Sequence, residues 1–270
     1  MTARILITGA AGGLGTLMRP RLAEGDRVLR LLDIAEIPAA DGGENVEVVQ
    51  ASVTDMAAME EAMSGVDAVI HLGGLSLESS WERTLEVNID GTHTVLEAAR
   101  RQGVTRVLLA SSNHAVGYAP RSDGEAGDYL FPRPDTYYGV SKVAMEGLGS
   151  LYADRYGMDV IAIRIGSCFE KPRDARMLST WLSPDDAARL FEACVAAPSP
   201  GFRVVWGVSD NTRRWFSLDE AFALGYESKD DAEVFASEVG TPDPDSLAQR
   251  HVGGVWCGPE FDTAVKEAGK

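Results

Sequence analysis

The sequence is short of the residues that hold metals or disulfides. Its three cysteines (Cys168, Cys194, Cys257) lie far apart and form no CxxC pair, which fits a reducing compartment and argues against zinc. They read as structural. The four histidines (His71, His93, His114, His251) are equally scattered, so no metal is expected. No run of about 18 apolar residues appears, which excludes a hydrophobic membrane-spanning helix. The N-terminal "MTARILITGAAGG" enters a strand-like segment without the charged and apolar regions of a secretory signal, so a cytoplasmic location is expected. Positive charge is also scarce: 25 Lys plus Arg stand against 41 Asp plus Glu, a formal charge of −16. That balance argues against nucleic acid or an anionic membrane as partner. A dense carboxylate surface suits a salty cytoplasm, and an ordinary acidic enzyme is the plain alternative.

What the chain does have is alternation. With 270 residues and 45% hydrophobic content it can bury a substantial core. Segments rich in Val, Ile and Leu (4–8, 27–33, 45–51, 68–73, 106–112 and 159–165) alternate with amphipathic stretches, strongest over 82–103 and 136–157. The pattern predicts βαβ units, hence an α/β fold: a doubly wound parallel sheet of Rossmann type with helices on both faces. A loop of more than 20 residues, "NHAVGYAPRSDGEAGDYLFPRPD", separates the fifth strand from the second long helix, and loops of that length are usually functional. Beyond residue 166 the regularity weakens, with helices expected near 184–196 and 231–239 and a short strand at 203–207.

"GAAGGLG" follows the first strand directly and opens a helix. Gly9, Gly12 and Gly15 then stand where the chain must turn tightly, admit a pyrophosphate and pack helix against strand. The spacing is GxxGxxG. Asp33 ends the second strand 18 residues beyond Gly15, where a carboxylate can accept bonds from adenosine ribose hydroxyls and repel a 2′-phosphate. Ile34 follows, with no arginine at that position, so NAD is favoured over NADP. Residues 1–166 are therefore expected to be the dinucleotide-binding core and 167–270 a small C-terminal substrate-binding portion, integrated into one globular unit.

In "DTYYGVSKVAMEG" (135–147) two tyrosines stand side by side, but only Tyr138 lies one helical turn from Lys142. A phenol with an ordinary pKa near ~10 is a poor base unless nearby positive charge stabilises its phenolate, and Lys142 can supply such charge. YxxxK alone is weak. It gains force from the glycine-rich loop, from "ASS" closing the fifth strand, and from Tyr138 standing 26 residues after Ser112.

That order resembles the short-chain dehydrogenase/reductase superfamily, and Asn88-Ile-Asp-Gly91 resembles the NxxG element of its extended branch. The segments "HLGGLSLE" (71–78), "ASSNHAVGY" (110–118), "YGVSK" (138–142), "RIGSCFEKPRDARMLSTW" (164–181) and "VVWGVS" (204–209) resemble the uronate dehydrogenase family. The resemblance implies NAD-dependent oxidation of the anomeric carbon of a hexuronate, glucuronate or galacturonate, to an aldarolactone. It implies Tyr138 as base, Lys142 as its support and anchor of the nicotinamide ribose, and Ser112 as partner of the reacting oxygen. Ser111 is the rival; adjacent strand residues face opposite ways, so at most one enters the cleft. Arg176 would clamp the substrate carboxylate, with Arg173 as competitor. Ser76, Asn113, His114 and Ser167 would contact the sugar. Gly13, Leu14, Leu72, Gly73 and Asn88 would join Gly9, Gly12, Gly15 and Asp33 around the cofactor. Ser52 stands where many relatives place an adenine-contacting aspartate.

His114 beside a serine also invites a hydrolase reading, but no GxSxG surrounds Ser111 or Ser112. The five tryptophans (Trp81, Trp181, Trp206, Trp215, Trp256) are expected in core or interface. Two other functions share these motifs: a nucleotide-sugar epimerase or dehydratase, and a non-catalytic NAD-binding redox sensor. The first needs a larger C-terminal region, and the second has no need to keep both Tyr138 and Lys142. A homo-oligomer is the general expectation for such enzymes.

Overall fold

The computed structural model describes residues 3–23, 25–39, 43–123 and 125–261. Six strands arise where the Val/Ile/Leu segments fall: β1 (Arg4–Thr8), β2 (Val28–Asp33), β3 (Val46–Gln50), β4 (Ala68–His71), β5 (Arg106–Ser112) and β6 (Asp159–Ile165). After the two-residue strands β7 (Ser167–Cys168) and β8 (Trp181–Leu182), which pair with each other, comes β9 (Phe202–Gly207). The main sheet runs β3-β2-β1-β4-β5-β6-β9 and every ladder in it is parallel. The doubly wound expectation holds. β9, which the sequence marked only as a short strand, is the seventh member of this sheet.

Strand alternation sends side chains to two cores. Ile5 and Ile7 of β1 face one side, packed with Met18 and Leu22 of α1 (Gly13–Leu22) and Leu190 and Phe191 of α7 (Pro184–Ala196). Leu6 faces the other, among Met59 of α2 (Met56–Ala62), Val95 and Leu96 of α4 (Gly91–Gln102), and Met145 and Tyr152 of α5 (Tyr137–Tyr156). All these side chains are at most 4% exposed, and each fully buried Leu, Ile or Phe contributes roughly 1.5–3 kcal/mol. A third cluster joins Trp206 of β9 to Val116, Phe216 and Val252, tying the C-terminal part of the chain to the loop after β5.

Three expected elements differ in detail, and the helix expected near 231–239 is instead a 3₁₀ turn (Ala232–Phe235) followed by a single helical turn (Ala236–Val239). The 82–103 helix is composite: α3 (Trp81–Thr84), a π-helical stretch Leu85–Asp90, then α4. Such wider turns are frequent at functional sites, and this one carries the buried Asn88. The fourth strand stops at His71 rather than at residue 73: Leu72 N still donates to the Thr8 carbonyl at 3.1 Å, but Gly73 N turns to the Thr8 side chain, Oγ1, at 3.2 Å. α5 begins where Thr136 accepts from Gly139 N at 3.1 Å and ends at Gly157, φ +68°, as its sequence pattern predicts. Burial pushes the Cys168, Cys194 and Cys257 thiols up to about 12, which suits inert structural residues.

Candidate active site

The strand order reverses between β1 and β4, and the crevice outside the carboxyl ends of such strands is where doubly wound sheets bind ligands. Its first wall is the β1–α1 turn. Gly9 has φ +71°, and a Cβ there would stand 2.6 Å from Gly73 N, so the loops leaving β1 and β4 touch only because Gly9 lacks a side chain. At Gly15 a Cβ would lie 2.5 Å from the Gly9 carbonyl. Gly12 caps α1 without a side-chain bond, and space beside Gly13 is open to 4 Å. Leu14 is half-buried against the core. The amides of the first turn of α1 therefore face a crevice shaped for a pyrophosphate.

Asp33 spans this turn: Ala11 N donates to its Oδ2 and Ala35 N to its Oδ1, each at 3.0 Å. A carboxylate accepts about four bonds, so capacity for ribose hydroxyls is left. Ser52 Oγ bonds to Thr54 Oγ1 at 2.8 Å and accepts from Thr54 N, forming a local turn beyond β3. Asn88 spends its amide inside the protein, with Oδ1 accepting from Leu75 N (2.7 Å) and Nδ2 donating to Leu75 O (3.1 Å) and Ser141 Oγ (3.0 Å). It shapes the loop that carries Leu72, Gly73 and Ser76. Behind this wall the buried His71 bonds Thr8 Oγ1 at 2.8 Å; burial first and the charge of Lys142 second bring its imidazole down to about 3, so it stays neutral.

The second wall is the start of α5. Glu78 accepts from Tyr137 N (3.1 Å) and Tyr138 N (2.9 Å), a carboxylate placed where a helix N-terminus favours one. Tyr137 turns outward, 40% exposed, against Trp81 with ring centroids 5.6 Å apart. Tyr138 turns inward. Lys142 Nζ sits 5.2 Å from the Tyr138 ring centroid and donates to Ala110 O at 2.7 Å. The i,i+4 pairing therefore forms. Its electrostatics differ from the expectation that neighbouring cations dominate: burial pushes the Tyr138 phenol up to about 12, with Ser112's hydrogen bond lowering it and Asp135 raising it. Lys142 itself is brought down to about 8 by burial, opposed by Glu146. In this state the phenol holds its proton.

The two serines separate as strand geometry requires. Ser111 Oγ donates to Glu146 Oε1 at 2.6 Å, inside a buried pair in which Arg164 grips both Glu146 oxygens at 2.9 and 2.8 Å. Ser112 instead reaches Tyr138 and accepts from His114 N at 3.2 Å. The third wall comes from distant sequence. Arg176 Nη2 and Asn113 Nδ2 both donate to the Val252 carbonyl, at 2.5 and 2.9 Å. Arg176 Nε is buried without a partner, and burial lowers the guanidinium from its usual value, so this cation is short of an anion. Arg173 is exposed and stacks 3.5 Å over the Phe169 ring. Ser167 Oγ bonds Thr180 Oγ1 at 3.1 Å, in α6 (Met177–Thr180), the short helix that Arg176 precedes.

Sequence reasoning missed three residues here. Trp256 packs on His114 with centroids 4.2 Å apart and lies 5.8 Å from the Tyr138 ring, whereas Trp181, Trp206 and Trp215 are buried in the cores as expected. Asp135 bonds His114 Nδ1 at 2.7 Å, and Glu78 caps α5. Glu78 and Asp135 carried some signal, as acids in segments already singled out, and Trp256 carried none. Among the described residues no cluster of His, Cys, Asp and Glu has the form of a metal site, and no helix is long and apolar enough to cross a membrane.

Residues 5–215 match the NAD dependent epimerase/dehydratase family. Uronate dehydrogenase of Pseudomonas syringae pv. tomato is 45% identical over 257 residues, covering 94% of this chain and 92% of that one. Among solved structures, a mutant of uronate dehydrogenase from Agrobacterium tumefaciens complexed with NAD superposes with a TM-score of 0.90 at 41% identity, over 97% of this chain and 100% of the other. Glucuronic acid dehydrogenase from Chromohalobacter salexigens gives 0.90 at 40% identity, with the same coverage of 97% and 100%.

Proposed function

The chain belongs to the NAD dependent epimerase/dehydratase family, within it to the uronate dehydrogenases, and from that premise we propose that it oxidises the C1 hydroxyl of a free hexuronate to the aldarolactone with NAD. The observation that carries the substrate class is Arg176: a half-buried cation beside Tyr138's neighbours, with its Nε unpartnered, suits one face of a sugar carboxylate. The glycine turn, the open first turn of α1 and Asp33 fit the dinucleotide, which supplies a hydride acceptor when bound.

In this reading Arg176 and Asn113 fix the uronate so that C1 faces the cofactor crevice, with His114, Ser76 and Ser167 meeting ring hydroxyls. Ser112 donates to the C1 oxygen and Tyr138 Oη takes its proton, while the C1 hydrogen leaves as hydride to NAD, producing the lactone, reduced cofactor and one proton. A phenol near 12 is a weak base, and each unit of depression takes about 1.4 kcal/mol of preferential stabilisation of the phenolate. Lys142, close to the ring in a site shielded from water, and the cationic oxidised ring of the cofactor supply that stabilisation together. Tyr138, Lys142 and Ser112 are thus proposed as the catalytic set.

The direct experiment offers glucuronate and galacturonate separately with NAD and follows reduced cofactor by absorbance near ~340 nm. Formation of reduced NAD with either uronate supports the reading. Silence with both, alongside turnover of a nucleotide sugar, would transfer the site to an epimerase or dehydratase.

A further inference from the structure

Asp135 stands just before the helix that carries Tyr138, and nothing in the reaction above uses it. Its side chain is fully buried, at 0% exposure. Three separate segments close on its carboxylate. From the loop after β5, His114 Nδ1 lies 2.7 Å from Oδ2. From the α5 cap, Thr136 Oγ1 donates to Oδ1 at 3.0 Å. A Cβ at Gly117 or at Gly253 would stand 2.0 or 1.9 Å from Oδ2, and Gly253 N donates to Gly117 O at 2.8 Å, so the carboxylate lies in a slot that only glycines leave open. The other titratable groups facing it are Tyr138, Arg176 and Cys257, each of which feels its charge. A buried carboxylate must be paired, and here the His114 ring and the Thr136 hydroxyl are its hydrogen-bond donors.

The two nitrogens of an imidazole face opposite ways, and a carboxylate on one of them holds the proton there. The His114 ring is wedged between Trp256, at 4.2 Å, and Tyr138, at 5.8 Å and 69°. Its Nε2 makes no hydrogen bond among the described residues, whereas Nδ1 is committed to Asp135. We propose that Asp135 is a positioning residue: it fixes His114 as the Nδ1–H tautomer, so that Nε2 presents a lone pair to a hydroxyl of the uronate beside C1. This rests on the uronate reading. Specificity follows from it, because a site with an acceptor at that place favours a sugar donating a hydroxyl there and leaves Nε2 unmatched by a deoxy analogue.

Nitrogen-15 NMR of the ligand-free protein reads the tautomer independently of any activity. Wild type is expected to show His114 with a protonated Nδ1 and a pyridine-like Nε2; a protonated Nε2 would overturn the proposal. In Asp135→Asn, shape is kept and charge is lost. The pyridine-like signal is expected to weaken, and KM for the uronate to rise about tenfold with the dissociation constant for NAD within twofold. In a His114→Ala background the same substitution should leave KM where His114→Ala alone puts it. A full second tenfold rise in that background, or no change in the wild-type background, contradicts the assignment. If Asp135→Asn does not fold, the wild-type tautomer still decides. Absence of turnover with any uronate sinks the functional reading and leaves the tautomer measurement standing.

Discussion

The two sides of the crevice are made differently. The proposed cofactor side is largely backbone: a Cβ at Gly9 or Gly15 would stand 2.6 or 2.5 Å from neighbouring backbone atoms, and α1 starts without a side-chain cap. Its residues come from consecutive strands and turns. The proposed substrate side is side chain, assembled from the loop after β5, the start of α5, the residue before α6 and the segment at 252–256, bound by the Val252 carbonyl and the Asp135 carboxylate. A ligand made of phosphates and riboses can be held by a regular fold. A particular sugar acid needs groups gathered from far apart.

Substitutions on each side should therefore separate the two ligands. The largest effect is expected at their junction: Tyr138→Phe should lower kcat by about a thousandfold while NAD binding, followed by calorimetry, stays unchanged. Next, Arg176→Ala should cost roughly 2–4 kcal/mol in kcat/KM for the uronate and alter KM for NAD little; equal effects on both would merge the two sides. Gly15→Ala should do the reverse. It is expected to weaken NAD by at least about tenfold through displaced backbone, and to lower the melting temperature, with the tautomer of His114 untouched.

The smallest effect concerns pH, and it sits on the shared wall. His71 is held near 3 in the folded protein, below its ordinary 6.5. The unfolded chain therefore takes up the proton first as pH falls. Its contribution is fully present above about 6.5 and is lost as pH falls toward about 3, at no more than ~1.4 kcal/mol per pH unit. Urea unfolding at about pH 7.5 and about pH 5 should show a shallower loss for His71→Asn than for wild type.

The same division explains what was legible beforehand. The turn glycines, Asp33, the strand boundaries at β5 and β6 and the span of α7 follow from periodicity and short-range chemistry, so the sequence pattern displays them. Placing β9 in the main sheet needed the long-range pairing of Val160–Ile165 with Phe202–Gly207, which no local pattern encodes. The choice of Ser112 over Ser111 was framed by strand alternation, but the Glu146–Arg164 pair that engages Ser111 spans distant residues. Trp256 gave no signal because packing, and not composition, brings it to Tyr138, and Asp135, though close in sequence, shows its link to His114 only in the fold. The upward push on the Tyr138 phenol was likewise not legible, since desolvation depends on everything that surrounds the ring.

The Val252 carbonyl has a consequence for biogenesis. Because its two donors, Asn113 and Arg176, wait for a segment made well after the glycine turn, a nascent chain can wind the proposed nucleotide cradle before it owns the proposed sugar pocket. A chain made only as far as residue 251 has both donors in place and no carbonyl for them to share.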